Sequence, residues 1–358
     1  MKATEKLHNA GQSLWLDNIT RDLLTSGTLK RYIDTMSVTG LTSNPTIFDH
    51  AISKSAAYDQ DIRAMTRSGV PREDLFFRLA ITDLQQAANL FRPIHDRTAG
   101  VDGWVSLEVS PLLAYDTQRT VEAASSLHAA AARPNLFIKI PGTKQGVPAI
   151  EEATFRGVPI NVTLLFSRDH YLAAAEAYMR GLERRIASGL SPDVRSVASL
   201  FVSRWDKATM DKLPGNLRNR LGIAVAQSTY AAYRDLLDSE RWQRLENRGA
   251  RTQRLLFAST GTKDPRASDT LYIGALAAPN TINTIPEETL SHFADHGEVG
   301  GVLPRDGGRA SETLSAIVKA GVELGAVSAD LQAEGAKSFD ESWSDLLKAI
   351  ETKSRALA

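Results

Sequence analysis

The sequence predicts an α/β protein: a (β/α)8 TIM barrel with additional helices, folded as a single domain over residues 1–358. Three observations carry this. Short apolar runs recur along the chain, each followed by a turn and a helical stretch, the pattern that builds parallel sheets. Eight such runs occur, the number that closes a barrel. The 358 residues are long for one domain, yet α/β barrels reach this size as one unit. The competing arrangement, an open doubly wound sheet, loses support because no Gly-x-Gly-x-x-Gly follows a strand and no Gly-x4-Gly-Lys-Ser/Thr occurs.

The first run is Ser13–Asp17, with short helical pieces around Arg21–Leu24 and Leu29–Thr35. The second, Val38–Ser43, closes on Asn44-Pro45. From Ile47 to Arg97 the pattern is helical and long enough for at least two helices. Pro71 with Glu73 and Asp74 opens the second of them. The third run is Gly103–Val109, with Asp116 as N-cap of an alanine-rich helix that ends near Arg133-Pro134. The fourth, Asn135–Gly142, reads as a buried strand ending at a Pro-Gly turn. A helix covers Val147–Phe155. The fifth run, Val158–Phe166, leads into a helix over Asp169–Ser188. The sixth, Val194–Val202, is followed by helical sequence to about Arg248. The seventh is Arg254–Ser259. The eighth, Thr281–Ile285, ends at Pro286, a good first helical residue. Helices follow at Glu287–His296, Ala310–Leu324 and Ala329–Ile350. Between the first two of these, Gly297–Gly308 is a Gly- and Pro-containing loop and a candidate mobile element. Residues 329–358 form a helix expected to dock on the barrel near its mouth, through the stripe Trp343, Leu346, Leu347 and Ile350.

Composition narrows the function. Lys plus Arg balance Asp plus Glu at 42 each, so there is no electrostatic footprint for nucleic acid or an anionic membrane. The absence of cysteine excludes disulfides, thiolate catalysis and Cys-based zinc sites. Met1–His8 has no apolar signal core, and no apolar run is long enough to span a bilayer. A soluble cytoplasmic protein is expected, so the sequons at Asn18 and Asn161 carry no meaning for glycosylation.

Barrel strands send alternate side chains to the helices and to the interior. If the apolar alternates face the helices, the remainder face inward. Leu14 and Leu16 leave Asp17 inward; Leu41 leaves Thr42, with Asn44 two residues on. Val105, Leu107 and Val109 leave Ser106 and Glu108. Leu136, Ile138 and Ile140 leave Phe137 and Lys139. Ile160, Val162 and Leu164 leave Asn161 and Thr163; Ala198, Leu200 and Val202 leave Ser199 and Phe201. Most of the inward polar residues lie late in their strands, at the end where barrel enzymes keep their chemistry. Six strands doing this together is hard to explain as packing, because each buried polar group costs free energy unless partnered.

The set suits covalent carbonyl chemistry. Desolvation favours the neutral form of an amine, and a neutral amine at Lys139 can attack a ketone to form a Schiff base. One carboxylate moves protons during dehydration of the carbinolamine. A second takes the proton from a hydroxyl so that the adjacent C–C bond breaks. The protonated imine holds the resulting carbanion, so neither metal nor cofactor is required. Arg204 after the sixth run and Lys263 in Ser259-Thr-Gly-Thr-Lys-Asp after the seventh supply phosphate sites, with the Gly261 turn able to aim backbone N–H groups at an anion.

These blocks, in order, resemble the transaldolase family: Leu16-Asp17, Gly40-Leu-Thr-Ser-Asn-Pro45, Glu108, Phe137-Ile-Lys-Ile-Pro141, Ile160-Asn-Val-Thr-Leu-Leu-Phe-Ser167, Ser199-Leu-Phe-Val-Ser-Arg204 and Ser259-Thr-Gly-Thr-Lys263. The likeness runs from about Gly11 to Pro286. It implies transfer of a dihydroxyacetone unit from sedoheptulose 7-phosphate to glyceraldehyde 3-phosphate, in the pentose phosphate pathway. It further implies Lys139 as the Schiff-base lysine, Asp17 as acid/base on the C4 hydroxyl, and Glu108 with Thr163 and a water for the imine protons. Asn44, Asn161 and Ser199 would hold the dihydroxyacetone hydroxyls, beside Thr42 and Phe201, and Arg204 would bind phosphate. The chain departs from the family in one place. Many members carry a second phosphate-binding arginine after the seventh strand, where this chain has the Thr-Gly-Thr-Lys turn, and Lys263 is expected to substitute. The likeness is to the longer bacterial branch, which includes domains fused to glucose-6-phosphate isomerase; no second catalytic domain fits in this chain. Sugar phosphates are the expected partners, and a monomer or homodimer the expected state. An aldolase releasing free dihydroxyacetone, or a non-catalytic sugar-phosphate-binding barrel, would share these features.

Each residue also has a plainer role to weigh. Lys139 and Glu108 could be an interior ion pair, and Asp17 a cap for the helix at Arg21. Asn44-Pro45 could be only a turn, and Thr163 a β-former facing inward. Arg204, beside Trp205-Asp206, could join a surface ion pair, and Lys263 could be a solvated loop residue. His292 and His296, one helical turn apart, could mimic a metal pair, but lack an obvious third ligand and read as solvated side chains.

Overall fold

Alternation between apolar and polar positions lets each strand bury one face under helices while the other face closes inward. A computed structural model describes residues 1–357. Its strands are β1 (Gln12–Leu16), β2 (Val38–Leu41), β3 (Val105–Glu108), β4 (Leu136–Pro141), β5 (Ile160–Leu165), β6 (Ser196–Phe201), β7 (Gln253–Ala258) and β8 (Thr281–Ile285). They pair in parallel in chain order, and β1 pairs with β8, so the sheet is a closed eight-stranded barrel. The register sets Glu108 opposite Lys139, and Lys139 opposite Asn161.

Two apolar layers hold the barrel. Leu14, Leu16, Leu107, Ile138, Ile140, Val162 and Leu200 pack outward against the helices. Inside, Trp15, Trp104, Phe137, Val197, Leu256 and Ile282 form a plug in the N-terminal half. Phe137 stacks on Trp104 with ring centroids 4.0 Å apart and planes inclined by 22°. Gly40 makes room for the plug: a Cβ there would sit 2.7 Å from the Trp15 indole and from the Trp104 carbonyl. The plug seals one end and leaves the polar residues the other.

The helical connections add detail to the sequence expectation and in places depart from it. A helix over Ala3–Asn9 precedes β1; at about two turns it is too short for its periodicity to stand out, and it has no counterpart in the sequence reading. The stretch from Ile47 to Arg97 splits into three α-helices, Pro45–Lys54, Asp59–Arg67 and Arg72–Arg97. Helical sequence after β6 breaks between Thr209 and Leu221, and an unforeseen helix covers Leu271–Ala275. The helix from Ala310 stops at Lys319, followed by Gly321 at φ +94°, a left-handed position that favours glycine. The last helix consequently starts at Leu324, not Ala329, and runs to Leu357.

Parity also fails at one residue. Leu164 adopts φ +58° and the β5–β6 register shifts between Val162 and Leu165. Leu164 therefore leaves the outer layer and joins Phe166, Phe201 and Trp205, while Leu165 takes the outward position.

The C-terminal helix crosses the mouth of the barrel. Trp343 packs on Phe76 and Phe77, with ring centroids 5.1 and 5.6 Å away, and Leu346 and Ile350 are fully buried. No helix among the described residues is long and apolar enough to cross a membrane.

Candidate active site

Lys139 comes from the middle of β4, between Ile138 and Ile140, whose outward packing forces it inward. It is only 5% exposed. Its Nζ lies 3.2 Å from Glu108 Oε2 and donates a hydrogen bond to the Ser43 carbonyl at 2.9 Å. Glu108 reaches it because the strand register places the two opposite one another. That carboxylate oxygen makes no well-aligned hydrogen bond, so the contact to Lys139 is mainly Coulombic. Burial pushes the Glu108 carboxyl up, and the Lys139 charge opposes it.

Asp17 immediately follows β1 and is tied to the barrel by its backbone N–H, which donates to the Ile285 carbonyl. Thr42 donates its hydroxyl to Asp17 Oδ1 at 2.9 Å. Asp17 keeps some solvent contact at the cavity wall, yet the crowding of protein atoms around it pushes its carboxyl up. Lys139 and the Thr42 hydrogen bond pull the other way.

Asn44 caps the helix Pro45–Lys54, its Oδ1 accepting from the Ile47 N–H at 3.0 Å. That leaves its amide nitrogen for the cavity it lines, so it serves both ends. Thr163, in the second half of β5, lines the same cavity and its buried hydroxyl has no hydrogen-bond partner. Ser199 donates to Asn161 Oδ1 at 2.7 Å, and Asn161 donates to Ser106 at 3.1 Å.

Asp17, Thr42, Asn44, Lys139, Thr163, Ser199, Phe201, Arg204 and Lys263 together line one cavity of about 130 Å³. Glu108 and Asn161 are not on its wall: Glu108 sits behind Lys139, and Asn161 lies beneath Ser199. Arg204, just past β6, has its guanidinium carbon 5.0 Å from the Phe201 ring centroid, within cation–π range. Burial lowers its pKa, with Asp17 and Glu334 acting against it from a distance. Lys263 stands exposed at the rim. The neighbouring Asp264 carboxylate is already taken by Arg266 and Asn219, so it does not neutralise Lys263. Arg204 and Lys263 thus present positive charge to a cavity whose floor holds an amine and a carboxylate.

Some plainer roles hold alongside the site: Lys139 and Glu108 do form an interior ion pair, Asn44 does cap a helix, and Lys263 is solvated. Others do not. Thr20, not Asp17, caps the helix Arg21–Thr25, accepting from the Leu23 N–H at 3.0 Å. Asp206 does not pair with Arg204. It accepts from the Leu221 and Gly222 N–H groups and from the Tyr272 hydroxyl, and burial pushes its carboxyl up to about 6. His292 and His296 are not simply solvated, because both bond Asp269 at 3.0 Å. Among the described residues no group of three or more His, Asp or Glu side chains could hold a metal ion.

A larger cavity, about 520 Å³, opens at the opposite end of the barrel. Several of its polar groups are already engaged: Asp102 accepts from Trp15, and Arg254 donates to Ser13 and the Thr281 carbonyl. Volume alone therefore does not mark the chemistry. Sequence reasoning missed one wall of the smaller cavity, Phe339 of the C-terminal helix. The signal was present: Phe339 lies four residues before Trp343, on the same helix face.

Comparison with known proteins gives the family. Residues 14–350 match the family described as Transaldolase/Fructose-6-phosphate aldolase. A Transaldolase of Parafrankia sp. is 43% identical over 98% of this chain and 97% of its own length. Transaldolase 2 of Streptomyces coelicolor is 42% identical over 99% of this chain and 98% of its own. A Transaldolase of Thermobifida fusca is 43% identical, covering 97% and 96%.

Proposed function

We propose a residue-level mechanism from the premise that the chain belongs to the transaldolase/fructose-6-phosphate aldolase family and is a transferase with transaldolase activity. Lys139 passes its ammonium proton to Glu108, 3.2 Å away, and the freed amine attacks the C2 ketone of sedoheptulose 7-phosphate. Glu108, through a water held by Thr163, supplies the proton with which the carbinolamine oxygen leaves as water, and an iminium forms. Asp17 takes the proton from the C4 hydroxyl. The C3–C4 bond breaks, its electron pair passes into the iminium, and erythrose 4-phosphate departs. The enamine left on Lys139 then attacks the aldehyde of glyceraldehyde 3-phosphate, and Asp17 returns its proton to the new hydroxyl. Hydrolysis of the imine, with Glu108 in the reverse role, releases fructose 6-phosphate.

The observation that carries this reading is the placement of one lysine amine inside the barrel, on the wall of a cavity shared with Asp17 and backed by Glu108. The raised carboxyls of Asp17 and Glu108 suit proton transfer, since both forms become accessible nearer working pH. Asn44 and Ser199 hold the dihydroxyacetone hydroxyls, with Asn161 setting the Ser199 hydroxyl from below. Thr42 orients Asp17, Phe201 closes one wall, and Arg204 and Lys263 bind phosphate. The whole chain serves as one catalytic unit, in the cytoplasm, as a monomer or homodimer.

The test is borohydride reduction in the presence of fructose 6-phosphate. A covalent mass increase is expected on the peptide carrying Lys139, and none in Lys139→Ala. Adduct on a different lysine would displace Lys139 from its role, and no adduct at all would leave a binding protein. Free dihydroxyacetone released from fructose 6-phosphate without an acceptor would indicate aldolase turnover instead of transfer.

A further inference from the structure

The C-terminal helix Leu324–Leu357 touches the barrel at a point where the strand geometry is unusual. Gln332 donates its side-chain amide to the Gly142 carbonyl at 3.1 Å and to the Leu164 carbonyl at 2.9 Å. Both partners are carbonyls, so the group facing them must be the NH2 and the amide orientation is determined. The two carbonyls belong to adjacent strands near their chemistry-bearing residues, Gly142 just past β4 and Leu164 late within β5. Gly142 ends the Lys139-Ile-Pro-Gly segment of β4, and its N–H donates to the Thr163 carbonyl at 2.7 Å. Leu164 follows Thr163 and holds φ +58°, a conformation that costs a branched residue conformational energy unless its surroundings offset it.

His170 completes the clamp from the other side. Its Nδ1 accepts from the Phe166 N–H at 3.3 Å and lies 3.5 Å from the Gln332 amide nitrogen. The Phe166 N–H faces that nitrogen, so it carries the lone pair, and burial lowers the ring's pKa in keeping with that; the Gln332 amide, both its N–H groups spent on the carbonyls, packs beside it. Gly335, one turn after Gln332, lets the helix come this close: a Cβ there would lie 3.0 Å from the Leu164 side chain. Thr163, between the clamped carbonyls, has an unpaired hydroxyl and lines the catalytic cavity.

We infer that Gln332 is a positioning residue for the imine steps: by holding the Gly142 and Leu164 carbonyls it fixes the left-handed turn after Thr163 and so orients the Thr163 hydroxyl toward the cavity of Lys139. This rests on the role given to Thr163 above. It assigns the C-terminal helix a part in rate as well as in packing, since Gln332 lies outside the cavity wall and acts through the ends of two strands.

Gln332→Met keeps the length of the side chain and removes both donors. With fructose 6-phosphate and borohydride, its rate of adduct formation is expected to fall about tenfold, with kcat falling in parallel and KM within about twofold of the unaltered protein. Gln332→Lys restores a donor to the carbonyls and is expected to recover most of the rate. Unchanged adduct formation in Gln332→Met overturns the inference while leaving the imine mechanism intact. Loss of adduct in the unaltered protein removes the imine mechanism, and the inference with it. If Gln332→Met melts far lower and Gln332→Lys recovers melting temperature but no rate, Gln332 serves the fold alone and the inference is wrong.

Discussion

Asp17 and Thr42 show how one hydrogen bond sets a working carboxylate. Burial raises the Asp17 carboxyl, while the Thr42 hydroxyl at 2.9 Å favours the ionised form. The mechanism needs that ionised form, so the acid limb of kcat/KM should lie above the usual aspartate range. Thr42→Val removes the hydrogen bond and should move this limb to still higher pH, measurable in a pH–rate profile; an unmoved limb would detach it from Asp17. Asp17→Asn should lower kcat by on the order of 10²–10⁴, the usual contribution of a positioned acid or base. Arg204 carries its charge into the cavity, stacked by the Phe201 ring and without a hydrogen-bonded carboxylate partner among the described residues. Arg204→Ala should raise KM at least about tenfold for phosphorylated substrates, the order of a charge-assisted hydrogen bond, and leave unphosphorylated dihydroxyacetone little affected. Equal changes for both would remove its phosphate role. At this scale the sequence was readable because outward packing of Ile138 and Ile140 leaves Lys139 only one direction. The layering of Asn161 beneath Ser199 was not readable, because parity gives a direction and not a depth.

The C-terminal helix combines packing and positioning along one face. Gln332 clamps two strand ends, Phe339 walls the cavity, and Trp343 seats on Phe76 and Phe77. The Trp343 indole is 2% exposed and its N–H has no partner, so its contribution is packing. Trp343→Ala should therefore cost about 3–5 kcal/mol. Trp343→Phe, which keeps a ring and loses no hydrogen bond, should cost less than about 1.5 kcal/mol. Urea denaturation compares the two, and equal losses would mean that the indole nitrogen matters after all. The apolar stripe at helical spacing announced this face in the sequence. The true start at Leu324 did not show, because a helix boundary is set by the left-handed turn at Gly321 and not by periodicity.

For the molecule as a whole, one buried carboxylate couples stability to pH. Asp206 caps the helix Leu221–Asp238 from across the fold, and burial carries its pKa from 3.8 to about 6. A pKa raised by folding means that the folded state binds the proton more tightly. Its contribution is complete below pH 3.8 and is lost as pH rises through about 6. Between those limits the unaltered protein should lose on the order of 3 kcal/mol relative to Asp206→Asn. The variant should show a constant offset from its lost acceptor and a flatter profile in chemical denaturation from pH 4 to 7. Parallel profiles would show that the carboxylate stays ionised, held by its three donors.

By itself, the sequence determined the eightfold alternation of strand and helix and the inward direction of Asp17, Glu108, Lys139 and Thr163, because both follow from the two-residue period of a strand beside a helical layer. Only the tertiary structure decided which long-range partners those residues meet. The depth of Asn161 and Glu108, the reversal at Leu164, and the arrival of Gln332 and Phe339 from the far end of the chain depend on distances closed by packing. No local pattern encodes those distances.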